Sequence, residues 1–278
     1  NQLPTFIASL IILLSFSTEG LCADFQKGLD AYKRGHNSIA LREWRPLARQ
    51  GDANAQYNLG VMYDKGHGVP RDKKTAIKWY TRAAEQGVAI AQYNLGIIYE
   101  KGQGVRQNYG TAVKWYKRAA KLGNPNAQNN LGVMYMRGLG VPRDFTTVAK
   151  WYRLAAEQGK ASAQFNLGAL YERGLGVPKN KETAIKWYKR AAEQGVAVAQ
   201  FQLGVMYEIG QGVPQEITRA YMWWTIAAEQ GVEKARKNRD AIKSKMNSSQ
   251  IKIAQTLALE CMAKRFKGGK KEHIKTEV

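Results

Sequence analysis

Residues 55–90 read AQYNLGVMYDKGHGVPRDKKTAIKWYTRAAEQGVAI, and the chain writes nearly the same sentence four more times. Ala55, Ala91, Ala127, Ala163, Ala199 and Ala235 follow one another at a constant step of 36 residues. After the first five comes A-Q-x-N/Q-L-G, then tyrosine, G-x-G-V, W-Y or W-W, A-A and glycine. A fixed period of this size marks a stack of identical supersecondary units rather than one globular core. In such a stack length grows one unit at a time, so 278 residues do not count domains.

One unit is read as two helices. Ala55, Leu59 and Tyr63 stand at i, i+4 and i+8, an apolar stripe down a short helix, and Gly60 lets a neighbour approach closely. The Leu59 column continues as Leu95, Leu131, Leu167 and Leu203 without change. Gly66 and Gly68 recur as Gly102/Gly104, Gly138/Gly140, Gly174/Gly176 and Gly210/Gly212, where a left-handed cap would end the first helix. Asp72, Asn108, Asp144, Asn180 and Glu216 follow, and the first four are good N-caps for a second helix. That helix carries Ala76, Trp79, Tyr80, Ala83 and Ala84 and closes at Gly87. Trp79, Trp115, Trp151, Trp187 and Trp223 read as inter-repeat core, so Trp115→Ala is expected to cost about 3–5 kcal/mol. Two antiparallel helices per unit, repeated, make an all-α solenoid.

The pattern L-G-x-x-Y-x-x-G-x-G-V-x-x-D/N-x-x-x-A-x-x-W-Y-x-x-A-A-x-x-G resembles the Sel-one-like repeat, a longer relative of the tetratricopeptide repeat. Five units match, at 55–90, 91–126, 127–162, 163–198 and 199–234, with small departures at Arg106, Val148 and Trp224. The resemblance implies a right-handed α/α superhelix whose first helices line a concave groove. In that register the inward positions are Tyr57, Val61 and Asp64, repeated as Tyr93, Ile97 and Glu100, then Asn129 and Val133, then Phe165 and Glu172, then Phe201, Val205 and Glu208. An aromatic ladder in an open groove suits an extended peptide or a helix. The same rings could equally pack between adjacent helices, and the sequence leaves both readings open. The Gln56, Gln92, Gln128, Gln164, Gln200 column never varies, and Asn58, Asn94, Asn130 and Asn166 change only to Gln202. Recognition surfaces diversify between units, so constancy assigns these columns to structural hydrogen bonds.

The ends depart from the unit, as a stack requires. Residues 24–54 keep Tyr32, Ala40, Trp44, Ala48 and Gly51 around a shorter connection and read as an N-terminal capping unit. Residues 235–266 read as C-terminal capping helices, with Arg239 at the leucine position and Ile251, Ala254, Leu257, Ala258 and Cys261 on one face of the last helix. Asn247 or Ser248 would cap that helix. Residues 267–278 read as a basic, disordered tail. Phe6 to Phe16 is an apolar run too short to span a bilayer, and residues 1–23 read as a signal peptide cut near Ala23. Lipidation at Cys22 is the lesser reading, since bulky Leu21 precedes it. Removal of that segment leaves Cys261 alone, so no disulfide staples the fold.

Catalytic chemistry finds no home in the pattern. His36, His67 and His273 lack a partner at motif spacing, and no Cys/His cluster suits a metal. The paired glycines lack the third glycine and the Lys-Ser/Thr of a phosphate loop. Asp64, Glu100, Glu172 and Glu208 recur in one column, interrupted at Met136, too loosely placed for acid-base work, and read as a solvated face. Some secreted proteins of the resembling family bind β-lactams and carry cysteine pairs in each repeat, which are missing here, so a β-lactam hydrolase is the weakest reading. The reading is therefore a non-enzymatic scaffold of the bacterial cell envelope, without cofactor, that binds a protein or peptide. A net charge of +21 supports a second one, an envelope binder of anionic polymer or lipid such as lipopolysaccharide or peptidoglycan. Export would remove nucleic acid as a target.

Overall fold

The computed structural model describes residues 23–272, so the expected signal segment up to Cys22 and residues 273–278 lie outside it. The described chain is all-α: α1 (Phe25–Lys33), α2 (Asn37–Arg49), α3 (Ala53–Lys65), α4 (Lys73–Glu85), α5 (Ala89–Lys101), α6 (Tyr109–Lys121), α7 (Pro125–Arg137), α8 (Phe145–Glu157), α9 (Ala161–Arg173), α10 (Lys181–Glu193), α11 (Ala197–Ile209), α12 (Ile217–Glu229), α13 (Glu233–Lys243) and α14 (Ser248–Glu272). Helix pairs stacked in tandem make it the expected solenoid. The chain divides into two compact units, up to Trp79 and from Tyr80 on, with the boundary inside α4.

Both helix ends follow the expected chemistry. Gly66, Gly102, Gly138, Gly174 and Gly210 adopt left-handed φ values of 66–76° as C-caps of the first helices. Asn108, Asp144 and Asn180 accept backbone N–H bonds at the second-helix N-termini, and Asp72 does the same for Lys74 and Thr75. Glu216 makes no such bond. The second glycine of each pair has a different task. A Cβ on Gly176 would lie 2.0 Å from the Phe145 carbonyl oxygen, and one on Gly140 2.4 Å from the Tyr109 carbonyl carbon. Each of these turns therefore rests on the backbone that opens the preceding repeat's second helix.

In the second unit each second helix packs on its own first helix and on the first helix of the next repeat. The core stripe of a second helix runs through alanine, tyrosine and the alanine pair. It is formed by Ala112, Tyr116, Ala119 and Ala120 in α6, and by Val148, Tyr152, Ala155 and Ala156 in α8, where valine replaces the first alanine. Tyr80, Tyr116, Tyr152 and Tyr188 are at most 1% exposed. The tryptophans correct the sequence reading. Trp79, Trp115, Trp151 and Trp187 are only half-buried, and Trp223 alone among them is buried. Trp151 and Trp187 each lean on the core formed by the preceding repeat's second helix and their own first helix, so they seal the seam between repeats without filling it. The reason is helical phase: one residue before the tyrosine turns about 100° away from it, to the edge of the buried stripe.

Close approach at the invariant first-helix glycine is what admits the tyrosine. A Cβ on Gly96, Gly132 or Gly168 would stand 2.4–2.8 Å from the ring of Tyr116, Tyr152 or Tyr188. At both ends tryptophan takes the tyrosine's place. Trp44 covers Gly28 and Trp224 covers Gly204, and their indole N–H groups donate to the Phe25 and Phe201 carbonyls at 3.2 Å.

The C-terminal cap differs in detail from expectation. Ala254 and Ala258 of α14 are buried, with Ile251, Cys261 and Met262 packed beside them, whereas Leu257 is 36% exposed. Asn247 is the cap: its side chain accepts from Gln250 N–H while Gln250 accepts from Asn247 N–H. The α14 backbone continues through Gly268 and Gly269 to Glu272, so residues 267–272 of the expected tail are helical. Helix propensity penalises each glycine by only about 1 kcal/mol, which does not force a stop.

Candidate interaction surface

Tyr57, Val61 and Asp64 stand at i, i+4 and i+7 of α3, on one helix face. The same three columns pass through α5 at Tyr93, Ile97 and Glu100, α7 at Asn129, Val133 and Met136, α9 at Phe165, Ala169 and Glu172, and α11 at Phe201, Val205 and Glu208. All of these positions are half-exposed, neither core nor free surface. In the second unit the first helices of successive repeats touch, α5 with α7, and Ser162 and Asn166 of α9 reach Asn129 Oδ1 of α7 at 3.4 Å.

The aromatic column both packs and faces out. The Tyr93 ring lies 6.0 Å from that of Tyr116 and the Phe165 ring 5.5 Å from that of Tyr188, tilted in each pair. Each of these first-helix rings thus lies against the second-helix tyrosine of its own repeat and leaves part of itself in solvent. The carboxylates are tied down more than a solvated face would be. Tyr116 donates to Glu100 at 2.5 Å and Tyr188 to Glu172 at 2.6 Å, while Asp64 pairs with Lys73. Burial, then the neighbouring carboxylate, pushes the Tyr116 and Tyr188 phenols far above their usual value, so both remain proton donors throughout the stable range. Among the described residues the Glu208 carboxylate makes no such bond, since Trp224 at the matching position turns its N–H to the backbone. His67 shares a hydrogen bond with the Tyr32 hydroxyl at 2.9 Å, a contact inside the N-terminal unit. Among the described residues no three His, Cys, Asp or Glu stand where they could hold a metal ion.

The invariant glutamine column is structural. Gln56, Gln92, Gln128, Gln164 and Gln200 are buried, and each donates to the carbonyl of Ala48, Ala84, Ala120, Ala156 or Ala192 at 2.8–3.1 Å. Their oxygens bind the second helix of the same repeat: Gln158, Gln194 and Gln230 donate to Gln128, Gln164 and Gln200 at 2.6–2.8 Å. Within the second unit this ladder breaks at Gln92. Leu122 stands where the donor for Gln92 should be, and Gln92 Oε1 is buried without a partner. The column Gln50, Gln86, Leu122, Gln158, Gln194, Gln230 carries that signal in the sequence, and column reading confined to the first helices misses it. Leu122→Gln is expected to stabilise the protein by about 0.5–1.5 kcal/mol, read as a higher urea midpoint at unchanged slope. A midpoint at or below that of the parent would refute the ladder.

A tandem array of helix pairs whose constant leucine, glycine, tyrosine and glutamine columns serve the stack is an α-solenoid of the repeat type. The Sel1 repeat model matches residues 53–88, 89–124, 125–160, 161–196 and 197–232, so the chain belongs to the Sel1 repeat family. Those borders open two residues before the expected ones, where the first helices begin. Sel1 repeat proteins are in general protein-interaction scaffolds and typically non-catalytic. A protective antigen of uropathogenic Escherichia coli displaying an SLR fold is 33% identical, with a TM-score of 0.78 over 90% of this chain. The chain spans 55% of that protein's length. A Sel1 repeat protein from Oxalobacter formigenes is 36% identical, with a TM-score of 0.74 over 79% of this chain and 90% of its own. No curated protein matches the chain. No described helix is long and apolar enough to cross a membrane.

Proposed function

We propose that the chain is a non-catalytic, exported scaffold of the bacterial cell envelope that holds a protein or peptide along the Tyr57, Val61 and Asp64 columns. The observation that carries this reading is the division of labour between columns. Leucine, glycine, tyrosine and glutamine columns are consumed by the stack, whereas the three half-exposed columns vary from repeat to repeat. Recognition surfaces must vary to distinguish partners, and packed ones must not. The apolar run from Phe6 to Phe16 and the likeness to a bacterial protective antigen support an envelope location.

Affinity capture from bacterial envelope extract tests the reading. A specific partner should stay bound at about 0.5 M salt, where the Debye length falls to a few Å. An Asn129→Ala, Glu208→Gln double variant, altered at two half-exposed positions outside the core, should lose it by roughly ten-fold or more. Retention of nothing at that salt, or equal retention by the variant, would contradict the assignment.

A further inference from the structure

The second helices of the middle repeats depart twice from the array's own polar consensus, and both departures put leucine in solvent. Leu122, at the end of α6, replaces the glutamine of the other repeats and is 55% exposed. Leu154, in α8, stands where the first, second and fourth repeats have Arg82, Arg118 and Arg190, and is 38% exposed. The two lie one repeat and one helical turn apart in register. The first departure carries an internal cost, the unpartnered Gln92 Oε1, and so exposed a leucine gains little packing in return.

Cations flank the pair on the same two helices. Lys114, Lys117, Arg118 and Lys121 belong to α6, which holds no acidic residue, and Lys150 and Arg153 belong to α8, whose one acid is Glu157. Among the described residues none of the six forms an ion pair. Rings hold several of them in place instead. The Arg118 guanidinium sits 4.8 Å from the Trp115 ring centre, Lys150 5.6 Å from Trp151 and Lys117 5.4 Å from Tyr135, and Arg153 donates to the Tyr171 hydroxyl at 2.8 Å. A ring orients a cation without neutralising it.

We propose that this face of α6 and α8 docks the protein on a bilayer surface bearing anionic headgroups, with Leu122 and Leu154 entering the headgroup layer. Uncompensated cations complement the surface charge, and exposed apolar side chains among them gain only where an apolar layer lies behind that charge. A soluble polyanion would use the cations and gain nothing from the leucines. The proposal uses second helices and stands apart from the binding columns of the first.

Partition of the purified full chain onto phosphatidylcholine vesicles, with and without about one-third phosphatidylglycerol, provides the test. Anionic vesicles should bind at least ten-fold more tightly than neutral ones. Leu122→Gln with Leu154→Gln should weaken anionic binding by roughly ten-fold or more without lowering the thermal midpoint. Lys114→Gln with Lys121→Gln should weaken it by a similar factor. Residues 1–22 are common to every variant, so their contribution cancels in the comparison. A leucine variant that binds like its parent while the lysine variant fails would assign the face to a soluble polyanion and overturn the proposal. Equal binding to both vesicles, or to neither, would overturn it as well.

Discussion

Gly176→Ala is expected to destabilise the protein by about 3–5 kcal/mol, whereas Gly159→Ala should cost about 1–2 kcal/mol. Both glycines have left-handed backbone, φ 68° and 87°, so both substitutions meet the same local strain. They differ in surroundings. An added Cβ at Gly159 meets nothing within 4 Å, while at Gly176 it falls 2.0 Å from the Phe145 carbonyl oxygen and 2.7 Å from Thr146 N. Backbone cannot swing aside as a side chain can, so the turn must lift off the start of α8. Repeat arrays are held by nearest-neighbour interfaces, and a lesion at one interface loosens the stack there first. Urea unfolding should therefore show both a lower midpoint and a broadened or split transition for Gly176→Ala alone. Equal midpoints for the two variants would remove the turn-on-backbone contact from the account.

Tyr152→Ala should cost about 3–5 kcal/mol and Trp151→Ala about 1–2 kcal/mol, the reverse of what side-chain size suggests. Tyr152 is wholly buried, its ring lying over Gly132, and its hydroxyl finds only the Met136 sulfur at 3.9 Å. The substitution therefore measures packing with little hydrogen-bond loss. Trp151 keeps part of its ring in solvent under Lys150. Thermal or urea denaturation of the pair reads the order directly. A tryptophan variant as damaged as the tyrosine variant would restore the reading of the tryptophan column as core.

The contrast shows what one sequence discloses. Helix ends are legible because Gly66, Gly68 and Asp72 each answer to a local rule about φ or an unsatisfied N–H. The glutamine column is legible as structure from its constancy, though the alanine carbonyl it bonds belongs to the preceding helix and no periodicity names it. Trp79 and its repeats mislead because constancy is not burial. Phase corrects the error, since Ala76, Tyr80, Ala83 and Ala84 close one stripe without the tryptophan. Leu257 misleads for the complementary reason: apolar spacing puts it on the inner face of α14, where Met262 packs instead. The half-exposed columns can be placed on one helix face from the sequence, but their attachment to the stack through Tyr116–Glu100 and Tyr188–Glu172 depends on distances between helices.

Amide hydrogen exchange of the chain with and without its captured partner bears most directly on the central claim, that the first helices carry recognition. Added protection should appear in α5, α7 and α9, at the turns bearing Tyr93, Asn129 and Phe165, with little change in α6, α8 and α10. Protection confined to the second helices, or no change in any helix of a saturated complex, would contradict the claim.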